Sequence, residues 1–194
     1  MKVTNLVLML SLSMILISCM GDKKSLIGQS FGDTSFINAS FKGDPTPYEA
    51  IPDNLCSKLP KSLIQKYFPE SNKILYDDGK TFKGKNCRCL VYLGEGEFEY
   101  VPARLSVRED AFEDPEAWIE QWELLKLTSK SSEYIPDLGK AAIWKESKKE
   151  LTIKMDKYDI YITTPYSNLF QEGVQKEKDH KAMAIEIAKQ SGLL

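Results

Sequence analysis

Hydrophobic and polar positions along this chain fall into three regimes. Leu6 to Ile17 is an apolar run interrupted only by Ser11 and Ser13. From Met20 to Pro47 the apolar residues, including Phe31, Phe36 and Phe41, recur with neither helical nor strand period. Gly28, Gly32, Gly43, Pro45 and Pro47 punctuate this stretch, which has the composition of a flexible linker; the alternative is that the three phenylalanines dock onto the domain or a partner. From about residue 50 onward the pattern becomes periodic and alternates between periods of two and 3.6 residues.

The periodic part predicts a specific order of elements. Asp53 caps a short helix running through Leu59, with Leu55, Cys56 and Leu59 inward. Pro60 opens a second helix with Leu63, Ile64, Tyr67 and Phe68 on one face, and Pro69 stops it. A short strand at 73–76 ends in Asp77-Asp78-Gly79-Lys80, a turn composition. Residues 86–93 alternate, with Cys87, Cys89, Val91 and Leu93 on one face. After the Gly94-Glu95-Gly96-Glu97 turn, 98–107 returns with Val101, Ala103, Leu105 and Val107 at period two, and Pro102 marks an edge or bulge. Asp114-Pro115-Glu116 starts a helix on which Trp118, Trp122 and Leu125 form a core stripe. Segments 141–146, 151–157 and 159–164 read as a three-stranded meander. A closing amphipathic helix spans 179–190, with Gly192 at its C-terminal cap. The sum is an α+β domain over 50–194: an antiparallel sheet of five to six strands with helices packed on one face.

The start of the chain has the parts of a secretory signal: Lys2, the apolar run, and the small residue Ser18. Twelve helical residues rise only about 18 Å, short of the roughly 30 Å of bilayer hydrocarbon. Leu16-Ile17-Ser18-Cys19 resembles the lipobox of bacterial lipoproteins. The resemblance implies removal of 1–18 as a signal peptide, a diacylglycerol thioether on Cys19 and acylation of its new α-amine, palmitate among the acyl chains. It implies a lipid-anchored tether over 19–49 and attachment of the protein to a membrane of the cell envelope. With Met20 rather than Asp after the cysteine, the outer membrane is favoured in a diderm host. Several acyl chains anchor stably where one binds only marginally.

From Asp53 onward a second resemblance covers about 140 residues, carried by Cys56-Ser57-Lys58-Leu59-Pro60, Cys87-Arg88 and Leu138-Gly139-Lys140-Ala141-Ala142-Ile143-Trp144. These stretches are similar to an uncharacterised domain of actinobacterial lipoproteins, related in shape to the Mog1/PsbP-like α/β sandwich. Cys89 stands where that family often has Trp, and Lys140 where it usually has an acid. The resemblance implies a fold and no mechanism.

Charge narrows the partners. Net charge is −2, and removing 1–18 leaves 25 basic against 28 acidic side chains. Lysines alternate with acids, and no polybasic patch with interleaved aromatics supports nucleic-acid binding. With Cys19 acylated, three thiols remain in an oxidising compartment such as the periplasm, where a disulfide is favoured. Cys87 with Cys89 is geometrically poor, because i and i+2 on a strand lie about 6.5 Å apart with parallel Cβ vectors. Cys56 with Cys87 ties the N-terminal part to the sheet; Cys56 with Cys89 is the alternative. The odd thiol is a small buried hydrophobe or a reactive group.

The single histidine, His180, falls on a charged stretch and reads as solvated. No ligand spacing for a metal, no phosphate loop and no nucleophile motif is present, so neither cofactor nor metal is expected and an enzyme is disfavoured. Three readings follow. The first is a non-catalytic envelope module that packs against a protein partner or a ligand at the membrane surface. The second is a module for a small ligand or glycan that uses Tyr92, Tyr100, Tyr158 and Tyr161. The third is a thiol-redox protein using Cys87 and Cys89.

Overall fold

The computed structural model describes residues 32–77, 84–110, 114, 116–167 and 175–194. Seven strands form one antiparallel sheet: β1 (Lys73–Asp77), β2 (Lys85–Tyr92), β3 (Tyr100–Glu109), β4 (Ser132–Tyr134), β5 (Ala141–Lys145), β6 (Glu150–Lys154) and β7 (Tyr158–Thr163), in spatial order β1-β2-β3-β7-β6-β5-β4. Two meanders therefore meet where β3 pairs with β7, Leu105 opposite Ile162 and Val107 opposite Ile160. The α+β class and antiparallel sheet match the sequence pattern. The strand number is seven rather than five to six, because the three residues of β4 are too short to show a period.

Side-chain alternation assigns the first face. Cys87, Cys89, Val91, Val101, Ala103, Leu105, Ile160, Ile162, Leu151 and Ile153 point into one core. Helices α1 (Lys61–Tyr67) and α3 (His180–Gln190) close it with Leu63, Ile64, Met183, Ala184 and Ile187. Asp179 caps α3 by accepting the Ala182 N–H at 2.9 Å. The predicted helix ending at Leu59 is instead a 3₁₀ turn, Cys56–Lys58, and its N-terminal acceptor is Asn54 Oδ1, 2.9 Å from the Cys56 N–H. Leu55 and Leu59 are buried as expected.

Helix α2 (Ala117–Thr128) corrects the one-faced arrangement. Its Trp118 and Trp122 are core residues as predicted, but of a second core on the opposite face, against Ala141 and Ile143. On β5, Ala142 and Trp144 meet the first core. Four consecutive buried residues, Ala141 to Trp144, mark a strand covered on both sides. Pro102 has β2 on one side and no paired strand on the other, since β7 joins β3 only from Arg104 onward. The missing N–H therefore costs the sheet no ladder bond there.

Residues 32–49, assigned by composition to the flexible tether, are docked on the domain. Phe36 lies 4.3 Å from Tyr134, ring centroid to ring centroid, and edge-on to Trp118 at 5.9 Å. The Asn38 N–H donates to Lys140 O at 2.8 Å and its side-chain amide to Gly139 O at 3.0 Å. Asp44 accepts from the N–H groups of Asp156 and Lys157 at 2.7 and 2.9 Å. Phe41 packs on the first core. The strap thus rounds one end of the sheet and joins both cores. Gly139 (φ +57°) lets the turn that carries these acceptors lie against β6, because a Cβ there would fall 2.6 Å from Ile153 Cγ2 and 2.7 Å from Lys154 O. Phe36→Ala removes the ring that seats the strap. The expected result is a loss of about 2–3 kcal/mol for this half-buried ring, with new protease cuts between 32 and 50. An unchanged denaturation midpoint together with an unchanged digest would refute the docking.

Candidate functional site

Helix α2 covers the second face only over the β4–β5–β6 side. Among the described residues no helix covers the same face of β1, β2, β3 and β7. The outward positions there are Lys73, Leu75 and Asp77 on β1; Asn86, Arg88, Leu90 and Tyr92 on β2; Arg104, Ser106 and Arg108 on β3; and Asp159, Tyr161 and Thr163 on β7. The chain has 26 basic residues, and its three arginines, Arg88, Arg104 and Arg108, all lie on this open half-face.

Register places them together. Arg88 is directly opposite Arg104, Asn86 opposite Ser106, and Arg108 opposite Asp159. Like charges directly opposite on a sheet are destabilising, so stability alone does not favour Arg88 beside Arg104. The half-buried Arg88 guanidinium has no hydrogen-bond or ion-pair partner among the described residues. Arg108 is exposed and stacks 4.8 Å above the Tyr161 ring. Tyr161 O–H donates to Asp159 Oδ2 at 3.3 Å. Its own pKa is pushed up to about 12, by burial first and the Asp159 charge second, so it remains a phenol at neutral pH.

At the seam between the open half and α2 lies a buried charge cluster. Lys154, 1 % exposed, holds Asp110 Oδ2 at 2.6 Å and Asp159 Oδ1 at 3.4 Å. Its ammonium sits 5.9 Å from the Trp118 ring centroid. Asp159 Oδ1 is buried and accepts no hydrogen bond among the described residues. Burial raises the Asp159 carboxyl above its ordinary value, opposed by Lys154. The cluster anchors β7 electrostatically and keeps the Asp159 charge away from Arg108.

Two clefts open on the arginine face. One, of about 290 Å³, is bordered by Tyr48, Lys85, Asn86, Arg104, Ser106 and Arg108, with Glu109 at its rim. The other, of about 190 Å³, lies between Arg88, Pro102, Arg104 and Thr163. Lys85 is held at the first cleft by the Ile51 carbonyl and lies 5.0 Å from the Tyr48 ring centroid. Asn86 donates to Gly84 O at 2.9 Å. Ser106 is only 8 % exposed, and its hydroxyl has no hydrogen-bond partner among the described residues.

The residues singled out from sequence disperse. Cys19 lies outside the described residues. Cys56 and Cys87 form the disulfide, Cα atoms 4.8 Å apart, which resolves the choice between strand thiols. Cys89 is free and buried, and burial pushes its thiol up to about 12. The tyrosine set divides. Tyr92 and Tyr100 pair on the open face at 5.4 Å, and Tyr161 sits beneath Arg108. Tyr158 instead points into the first core, its hydroxyl 3.4 Å from Leu193 O.

His180, read as solvated, is buried. Its Nε2–H donates to Gln175 O and its Nδ1 accepts from Thr164 Oγ1, both at 2.8 Å. Burial lowers its pKa and favours this neutral form. A charged sequence neighbourhood hid it, because Lys178, Asp179 and Lys181 turn outward around an inward ring. Among the described residues no three His, Cys, Asp or Glu side chains group as metal ligands, and no helix is long and apolar enough to cross a membrane. The arginine cluster was legible only in part. Period two put Arg88 opposite the core-facing cysteines, but which strand lies beside β2, and in what register, is a tertiary matter.

Comparison with known proteins adds no relative: no family model, curated protein or solved structure matches this chain.

Proposed function

We infer that this chain is a lipid-anchored, non-catalytic binding module of a bacterial cell envelope, and that the open half of its sheet is the binding face. One observation carries the reading. Every arginine of the chain lies on one uncovered half-face, with two of them directly opposed across β2 and β3. Arginine is the side chain suited to bidentate capture of anionic groups, and such a cluster is kept at a cost to the sheet.

The anchor rests on the Leu16–Cys19 motif. Because the docked body begins at Gly32, the chain from Cys19 to Gly32 spans at most about 45 Å. The module on this reading works close to the membrane surface rather than at the end of a long tether. The non-catalytic part is supported by His180, which is buried against Phe68 and Tyr166 and so is unavailable as a base on the arginine face. The thiol-redox alternative loses support, because Cys87 is bridged and Cys89 is held as a buried thiol. A glycan reading keeps a specific observation of its own. The Tyr92–Tyr100 pair stands beside a cleft of about 510 Å³ that also contacts Asn72 and Lys73.

The test uses the whole protein in its bacterial host. Wild type incorporates labelled palmitate and fractionates with membranes, and Cys19→Ala does neither. A photo-crosslinking residue at position 88 yields an adduct in intact cells, and one at Glu186 on α3 yields none. Equal membrane association of wild type and Cys19→Ala, or adducts equally frequent at both positions, would remove the reading.

A further inference from the structure

The geometry points to a site for a tetrahedral oxyanion, a phosphate or phosphate-monoester group, in the cleft where β2 begins and β3 ends. This deepens the binding-module reading above and rests on it. Four observations converge. Ser106 forms the floor: it is more than nine-tenths buried, its side chain lies on the cleft side of β3, and its hydroxyl has no hydrogen-bond partner among the described residues. The Ser106 hydroxyl opens to the cleft, where a ligand oxygen would supply its hydrogen-bond partner. Asn86, directly across the ladder from Ser106, adds an amide. Arg104 and Arg108 flank Ser106 on the same strand and face. Lys85 completes the border with its ammonium fixed by the Ile51 carbonyl.

The donor set decides the ligand class. Two guanidinium forks, a hydroxyl, an amide and an ammonium surround one small cleft. A carboxylate offers two oxygens and is satisfied by a single fork, whereas a phosphoryl group offers three or four oxygens and up to two charges. Opposing charge is modest. Glu109 is exposed at the rim, Asp53 lies 3.5 Å from Lys85 Nζ but is itself exposed, and Asp159, across from Arg108, is engaged by Lys154 through Oδ1 and by the Tyr161 hydroxyl through Oδ2. The cleft volume of about 290 Å³ suits a headgroup-sized ligand rather than a long chain. Arg108 is preset by its stacking on Tyr161, so less of its freedom is lost on binding.

Two sources carry this chemistry: a soluble phosphate or phosphomonoester, and the phosphomonoester headgroup of phosphatidic acid in the membrane to which the protein is tethered. The experiment is calorimetric titration of the full-length processed protein in neutral detergent with inorganic phosphate and with glycerol 3-phosphate at low salt. Saturable binding is expected, weakened about tenfold or more by Arg108→Gln and a few-fold by Ser106→Ala. Arg88→Gln removes the same charge from the same face outside this cleft and weakens binding less than Arg108→Gln does, whereas Lys189→Gln, at an exposed position on α3, leaves the affinity within about twofold. The protein is also reconstituted in phosphatidylcholine vesicles with and without phosphatidic acid. Competition by phosphatidic acid with the soluble ligand assigns the membrane source, and its absence assigns the soluble one; both uphold the site. Circular dichroism and melting of each variant verify folding, and Arg108→Gln gives up only an exposed stacking contact on Tyr161.

The site is overturned if no saturable heat appears up to about 10 mM phosphate, a limit already weaker than a useful ligand affinity. It is overturned equally if Arg88→Gln weakens binding as much as Arg108→Gln, which would make the face a diffuse basic surface. In either case a crosslink at position 88 would leave the binding-module reading standing, and loss of that crosslink as well would remove both.

Discussion

Replacing Cys56 and Cys87 together by alanine should lower stability by about 4 kcal/mol, from closure of the 31-residue loop between them. For a chain of this size that corresponds to a fall in Tm of about 8–15 °C. The physical reason is where the bridge sits. Cys56 belongs to the short turn before α1, a stretch tied to the sheet otherwise by the Asn54–Asn86 bridge and the bonds from Leu55 N–H to Asn86 O and Asn86 N–H to Asp53 O. Cys87 is on the core face of β2, one residue from Asn86. Without the bridge, the first turn and α1 stay associated through those backbone bonds and through buried Leu55, Leu59, Leu63 and Ile64. Differential scanning calorimetry of the variant, and of wild type under reductant, measures the loss. A fall smaller than about 1 kcal/mol would show that the denatured chain gains little freedom from opening this loop.

The second large effect is at Lys154. Lys154→Met keeps most of the side chain's volume but leaves Asp110 and Asp159 buried side by side without their cation, and the expected loss at pH 7 is about 3–5 kcal/mol. The sign of the pH dependence follows from Asp159. Burial already raises its carboxyl in the folded protein, so its protonated form favours the fold. That contribution is complete below about pH 4, the ordinary carboxylate value, and is lost as pH rises through the folded value. Removing Lys154 raises the folded value further and extends the window upward. The difference between Lys154→Met and wild type should therefore shrink as pH falls from 7 toward 4. Adding Asp159→Asn to Lys154→Met should restore part of the stability at pH 7, which a double-mutant cycle measures. A deficit independent of pH would mean that lost packing against Trp118, not uncompensated charge, is what Lys154 prevents.

The two effects bear differently on the binding face. The disulfide stabilises the far side of the sheet and leaves the arginines where they are. Lys154 draws Asp159 inward and so leaves Arg108 without a carboxylate partner across the strand. Lys154→Met should therefore lower anion affinity as well as stability, since a freed Asp159 carboxylate could reach Arg108.

Much of the fold was legible. Strands β2, β3 and β7 follow period-two alternation, β5 shows as a continuous apolar run, and α2 and α3 follow helical spacing, α3 with its Asp179 cap, because burial and local chemistry set each element. The misses share a cause. Strand β4 has three residues, too few for a period. The strap over 32–49 has Phe36 and Phe41 five residues apart, a spacing of neither helix nor strand, and its backbone partners lie about a hundred residues away at Gly139, Lys140 and Asp156. His180 sits in a run of charges, yet its ring faces Phe68 because position 180 begins α3 on the core side. The candidate site was visible only as single outward positions on two strands, and its order Asn86, Arg88 against Ser106, Arg104 depends on antiparallel register.

By itself the sequence determined the class of fold, the near balance of basic and acidic side chains, and which residues of most strands turn away from the core. These follow from composition and local periodicity, which act over a few residues. Tertiary structure alone decided that α2 packs on the face opposite α1 and α3, that Cys56 bridges Cys87 rather than Cys89, and that all three arginines share one open half-face. Those outcomes depend on which distant segments lie side by side, and that is fixed by burying two apolar faces of one sheet at once.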